Sequence, residues 1–137
     1  MPIIRRGEVA DLPQIDAIQA ASPEAARWAV ADYLDHDLQV ALSGNQVVGF
    51  LASRMVAADE CEILTLAVAP EFRRQGVGRA MMAALTGNSS VTVFLEVRES
   101  NTIARNFYNS IGFQEVTMRQ KYYQSPSECA IVMKFHS

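Results

Sequence analysis

The sequence predicts an α+β fold, with helices layered on a central sheet, and three observations carry that expectation. The 137 residues are 50% hydrophobic and 20% charged, with a mean hydropathy of +0.05, the composition of a single globular domain over residues 1–137. The apolar period switches between about 3.6 and about 2 residues along the chain, the mark of alternating helices and strands. Gly, Pro, Asn and Ser fall between these stretches, where turns need them. The resulting order is strand, two helices, three strands, helix, strand, helix, two strands.

Each element has its own warrant. Ile3 to Arg6 reads as a short strand. Asp11 is a suitable N-cap for a helix that puts Leu12, Ile15 and Ile18 on one face and stops at Ser22-Pro23. Pro23 opens a second helical stretch, Glu24 to about Leu34, carrying Trp28 and Tyr33, and Asp35-His36-Asp37 breaks it. Leu38, Val40 and Leu42 then alternate with polar or small residues. Ser43-Gly44-Asn45 supplies a turn, and Val47 to Val56 completes a hairpin. A second turn at Ala57 to Glu60 leads into the apolar strand Ile63 to Val68, which Pro70 ends. Ala80 to Leu85 are strong helix formers, expected to begin at Gly78 and close at Gly87-Asn88. Val91 to Val97 is a buried strand by composition. Ser100-Asn101 caps a helix whose Ile103, Phe107 and Ile111 recur every four residues as its core row. The last strands are Phe113 to Tyr123 and Cys129 to Phe135, joined at Ser125-Pro126-Ser127.

Composition also excludes function classes. At this length folding buries roughly two thirds of the unfolded surface, so a core forms without disulfides or metal. Twelve Lys and Arg against fifteen Asp and Glu leave a net charge of -3, a poor basis for binding nucleic acid through net charge. Cys61 and Cys129 lie far apart and outside any CxxC or His-rich context, so we read both as buried thiols and expect no metal site. The N-terminal residues contain Arg5, Arg6, Glu8 and Asp11 and lack the apolar run of a secretory signal. Apolar stretches fall short of the roughly 20 residues that span a bilayer. A soluble, cytoplasmic protein without membrane contact is the expectation.

Two segments carry chemistry. Val68-Ala69-Pro70-Glu71-Phe72-Arg73-Arg74-Gln75-Gly76-Val77-Gly78-Arg79 joins a strand to a helix through a loop with two glycines and three arginines. Glycines allow close approach of the backbone to a ligand, and the helix start offers N–H groups and a positive dipole end, a combination suited to a pyrophosphate. The spacing is neither GxxxxGK[ST] nor GxGxxG after a strand. The bland alternative is a solvated turn that starts a helix. In Phe94-Leu95-Glu96-Val97-Arg98, alternation puts Phe94, Glu96 and Arg98 on one face of a central strand. A carboxylate there is expensive unless used or paired, so Glu96 is either a general base or half of an ion pair with Arg98. Tyr108 lies about 100° around its helix from Phe107, towards the edge of the core, as a packing residue or an acid.

The loop Arg73-Arg74-Gln75-Gly76-Val77-Gly78 resembles the Arg/Gln-x-x-Gly-x-Gly/Ala signature of the GNAT acyltransferases, and the element order matches their fold over essentially the whole chain. Within that superfamily Leu95-Glu96-Val97-Arg98, Ser100-Asn101, Phe107-Tyr108, Ile111-Gly112-Phe113 and Arg119 to Tyr123 resemble the RimI-type ribosomal-protein alanine N-acetyltransferases. The resemblance implies a three-layer fold with a mixed, mostly antiparallel sheet, splayed at an acetyl-CoA site and flanked by about four helices. It also implies that acetyl-CoA lays its pyrophosphate on Arg74 to Arg79, with Arg73 adjoining, and its pantetheine along Leu66-Ala67-Val68. Gln75, Gly76, Val77 and Gly78 lie within that loop, and Asn101 matches a further cofactor contact. A backbone N–H near Val68 would stabilise the oxyanion. Glu96 is implied as general base and Tyr108 as general acid, since a phenol of reference pKa near 10 is a reasonable donor to a thiolate.

The implied acceptor is a peptide or protein N-terminus, a ribosomal protein among the candidates, with Trp28, Tyr122 and Tyr123 lining its groove or simply packing. Where the RimI-type enzymes carry an aromatic-Pro-Trp element, this chain reads Ser22-Pro23-Glu24-Ala25-Ala26-Arg27-Trp28, so the acceptor side departs most from the pattern. Two rival readings are a GNAT enzyme acting on a small amine or lysine, and a non-catalytic acyl-CoA-binding module.

Overall fold

The computed structural model describes residues 2–22, 29–87, 90–121 and 128–136. Its strands are β1 (Ile3–Arg6), β2 (Asp37–Ser43), β3 (Gln46–Ala57), β4 (Glu60–Val68), β5 (Thr92–Arg98), β6 (Gln114–Lys121) and β7 (Glu128–His136). Helices α1 (Leu12–Ala20), α2 (Val77–Thr86) and α3 (Thr102–Ser110) lie between them. The strands form one sheet in the order β1-β2-β3-β4-β5-β7-β6. Every neighbouring pair is antiparallel except β4 and β5, which run parallel.

That exception shapes the molecule. Pairing between β4 and β5 covers Glu60 with Thr92, Cys61 with Val93 and Glu62 with Phe94. Beyond these pairs the strands part. A register shift in the β3–β4 ladder, between Ala52–Thr65 and Ser53–Ile63, lies where the parting begins, as expected of a bulge that bends its strand.

Alternation along the strands gives each sheet face its own core. One core packs Leu51, Leu66, Val93, Leu95 and Val97 against Met81 and Met82 of α2 and Ala104 and Tyr108 of α3. The other packs Val40, Phe50, Ala52 and Ala67 against Ile15 and Ile18 of α1 and Tyr33. Each large apolar side chain covered in this way contributes about 1.5–3 kcal/mol. Tyr33 is fully buried and donates its hydroxyl to Gln19 of α1; burial pushes its phenol well above the ordinary tyrosine value.

Several expectations are corrected here. The second helix is a 3-10 helix over Val30–Asp35, where Asp32, Tyr33 and Asp35 offer poor α-propensity; its expected first part, 24–28, lies outside the described residues. Helix α2 starts at Val77, one residue earlier than expected, because Gly76 at φ 83° serves as its N-cap. Asp11 occupies the N-cap position of α1 without capping it. Its carboxylate turns back to accept both guanidinium nitrogens of Arg5 and the Glu8 N–H, each at 2.8 Å. Cys61 is buried, which raises its thiol pKa, whereas Cys129 is only half-buried.

Candidate active site

The loop between β4 and α2 is built by local backbone chemistry. Pro70 opens a 3-10 turn over Pro70–Phe72, and Arg74 at φ 62° and Gly76 at φ 83° reverse the chain into the helix. The first N–H groups of α2 have no partner within the helix, which gives the loop end donors of the kind that can hold an anion. Arg73 ties the loop to the strand end: its Nε donates to the Val68 carbonyl at 3.3 Å and its Nη2 to Ser22 Oγ at 3.4 Å. Gln75 donates to the Glu71 carbonyl at 3.1 Å, so its side chain braces the loop. Arg79 donates to the Ser110 carbonyl at 2.7 Å, joining the first turn of α2 to the end of α3.

A cleft of about 410 Å³ opens between this loop and α3. Val68, Phe72, Arg73, Arg74, Gly76, Val77, Gly78 and Arg79 line one side, and Ile103, Asn106, Phe107, Ser110 and Ile111 the other. Gly78 is what lets the two helices close on it, because a Cβ there would stand 3.1 Å from Ile111 Cγ2.

The α3 wall corrects the sequence expectation. Ile103, Phe107 and Ile111 form the expected row, but it faces the cleft: Ile103 is 55% exposed. Ala104 and Tyr108 are the buried residues of the helix, and Ile111 bridges core and cleft. Tyr108 is therefore inside the core and 4% exposed. Its ring stands edge-on to Phe107 and Phe113, at centroid distances of 5.3 and 5.6 Å. The row is the one the sequence shows, but it faces the cleft and not the core.

The strand residues divide. Val68 lines the cleft and Leu66 lies on the same face, whereas Ala67 belongs to the opposite core beneath α1. The Ala69 N–H donates to the Val48 carbonyl at 2.8 Å, so alternation turns the Val68 N–H away from β3 and into the gap left by β5. Asn101 is the N-cap of α3, accepting the Ala104 N–H at 3.0 Å. Trp28, Tyr122 and Tyr123 lie outside the described residues.

Glu96 lies on β5 between Leu95 and Val97, which enter the α2/α3 core, so its side chain projects from the other face of the sheet. Tyr108 thus lies in the core on one face of the sheet, and Glu96 projects from the other, on the stretch of β5 beyond its last pair with β4. The carboxylate accepts from Arg119 Nη1 at 2.6 Å. Arg119 reaches it from two strands away, and Arg98, the partner that the sequence suggests, shares the same face of β5. Among the described residues no group of three His, Cys, Asp or Glu is placed to hold a metal, and no helix is long and apolar enough to cross a membrane.

A split sheet with a glycine loop and helix start at its open end defines an acyltransferase architecture. The model of the acetyltransferase (GNAT) family matches residues 8–113, and the chain belongs to that family. It is an N-acetyltransferase of the GNAT type. More narrowly, it is 33% identical over 135 residues to the [ribosomal protein bS18]-alanine N-acetyltransferase of Escherichia coli K12, covering 92% of this chain and 91% of that protein. The crystal structure of the ribosomal-protein-S18-alanine N-acetyltransferase from Escherichia coli superposes with a TM-score of 0.73 at 29% identity, covering 99% and 94% of the two chains. A GNAT family acetyltransferase from Elizabethkingia anophelis, solved with acetyl-CoA bound, shares the fold with a TM-score of 0.74 at 17% identity, covering 99% and 98%.

Proposed function

We propose that this chain, acting as one GNAT domain, acetylates the N-terminal α-amine of a protein by direct transfer from acetyl-CoA. An alanine N-terminus of a ribosomal protein is the first acceptor to test. The observation that carries the mechanism is the gap between β4 and β5, with the cleft opening on one face of the sheet and Glu96 on the other. Such a seam lets a donor and an acceptor meet from opposite sides without sharing space. The 33% identity to an enzyme named as a ribosomal-protein alanine N-acetyltransferase supports the acceptor class.

Acetyl-CoA binds with its pyrophosphate on the N–H groups at Val77 to Arg79 and the arginines of the loop, and its pantetheine passes between Val68 and the Ile103–Phe107–Ile111 wall. An α-ammonium has a reference pKa of about 7.7–8.0, so little help is needed to deprotonate it. Glu96 takes that proton through a water, and the amine nitrogen attacks the thioester carbonyl. The carbonyl oxygen becomes an oxyanion that the Val68 N–H stabilises. Collapse breaks the C–S bond: Tyr108 gives its proton to the departing thiolate, and the adduct nitrogen sheds its second proton to solvent, from which the phenolate is reprotonated. Neither cysteine enters the scheme.

The test is thiol release from acetyl-CoA with a panel of N-terminal peptides, lysine and small amines, for wild type, Glu96→Gln and Tyr108→Phe. Peptides should turn over, and each substitution should lower kcat by about 100-fold or more, the usual weight of a general acid or base, with acetyl-CoA binding retained. Turnover of small amines or lysine alone would overturn the acceptor. Binding without turnover on the whole panel would favour a binding module.

A further inference from the structure

The register of the β5–β7–β6 half-sheet gives Glu96 an unusual neighbour. Arg98 lies opposite Ala130, and Ala130 opposite Arg119; Glu96 lies opposite Val132. Residues directly opposite share a face, so Glu96, Arg98, Ala130, Val132 and Arg119 all project from the same side. Strands β5 and β6 are separated by β7, a span of about 10 Å at the usual strand spacing. Arg119 crosses that span diagonally to place Nη1 2.6 Å from Glu96 Oε1. Its path passes Ala130, fully buried and small enough to let the side chain lie over β7.

The exposures of the pair are unequal. The Glu96 side chain is 13% exposed and that of Arg119 65%. An ion pair whose cation stays in water adds little to stability, so stabilising the fold does not account for a cation reaching over a whole strand. What the contact does accomplish is geometric: it selects one orientation for a carboxylate bordering the open seam. Holding a reacting group in a near-attack geometry is worth far more to a rate than an exposed ion pair is to a fold.

We propose that Arg119 is a positioning residue that sets the orientation of Glu96 towards the acceptor amine. This rests on the reading of Glu96 as the general base. Arg119 is not among the residues that line the donor cleft, so its substitution should act on Glu96 and leave acetyl-CoA binding untouched.

The experiment is a double-mutant cycle on the peptide-acetylating enzyme, with kcat and the KM for acetyl-CoA measured for wild type, Arg119→Ala, Arg119→Lys, Glu96→Gln and the Glu96→Gln/Arg119→Ala double variant, each checked for folding by circular dichroism. Arg119→Ala should lower kcat by about tenfold or more with the KM for acetyl-CoA unchanged, a loss typical of a misplaced catalytic group. Arg119→Lys should recover part of that rate. In the Glu96→Gln background the Arg119→Ala change should cost nothing further, because coupled residues are not additive. A purely structural Arg119 would lower both backgrounds alike, and that result overturns the proposal. So does an Arg119→Ala enzyme as fast as wild type or faster. If Glu96→Gln itself leaves kcat intact, the general-base reading falls and this inference with it; a slow Glu96→Gln beside a fully active Arg119→Ala overturns the inference alone.

Discussion

Tyr108 combines packing with its proposed chemistry, and substitution separates the two. Its ring belongs to the aromatic stack with Phe107 and Phe113, so Tyr108→Phe should keep the melting temperature within a few degrees while the rate collapses, whereas Tyr108→Ala should cost about 3–5 kcal/mol of stability. Thermal melts beside kinetics would distinguish them, and a Tyr108→Phe enzyme that unfolds as readily as the alanine variant would show the hydroxyl to be structural. Asp11 offers a second test. It is 4% exposed, and the hydrogen bond from Arg5 holds its carboxyl below the usual aspartate value. A depressed folded pKa means that the stability it adds is complete above the ordinary carboxylate range and is lost as pH falls through the folded value. Asp11→Asn should therefore cost about 2 kcal/mol near neutrality, and the gap to wild type should close as the solution is acidified below about pH 4. Urea titrations across that range would decide it; a constant gap contradicts the pairing. At this scale the sequence exposed residue types better than partners. Glu96 stood out as a carboxylate on an apolar strand, yet its partner Arg119 lies 23 positions away across β7, and no local pattern reports a neighbour two strands distant.

Helix α2 owes its position to a residue outside it. A Cβ on Gly49 would stand 3.0 Å from Met81 Cε, 3.2 Å from the Ala67 carbonyl oxygen and 3.2 Å from Val77 Cγ1. The methionine end can move, but the carbonyl of β4 and the first residue of the helix cannot both do so cheaply. Gly49→Ala should push α2 off the sheet, costing about 1–3 kcal/mol and raising the KM for acetyl-CoA several-fold, because the helix start is the proposed pyrophosphate site. A variant with lower melting temperature and unchanged KM would dissociate helix seating from cofactor binding. The order of strands and helices was legible because period and turn residues agree along the chain. The 3-10 character of Val30–Asp35 was not, since its buried Tyr33 is held by the side chain of Gln19 from α1. The cleft-facing row of α3 was misassigned for a related reason: apolar residues at four-residue spacing mark a covered face, and periodicity cannot tell a core from a ligand as the cover.

For the molecule as a whole, acetyl-CoA should act as a clamp across the cleft between the α2 loop and α3. At 100 times its dissociation constant it should stabilise the fold by about 2.7 kcal/mol, raising the melting temperature by roughly 8 °C at about 3 °C per kcal/mol. Acetyl-pantetheine, without the pyrophosphate, should give a far smaller shift at the same concentration. Equal shifts would remove the phosphate role from the arginine and glycine loop. The brief parallel pairing of β4 with β5 has a consequence for how the chain can be divided. Strands β1 to β4 are consecutive in the sequence and form one antiparallel group, while β5, β7 and β6 form the other from residues 92–136. The two groups share three ladder pairs and the core beneath α2 and α3. A chain opened in the connection between α2 and β5 would yield two pieces, each with a complete run of neighbouring strands. Such pieces are natural candidates for a split enzyme, in which catalysis returns only when the two halves are brought together.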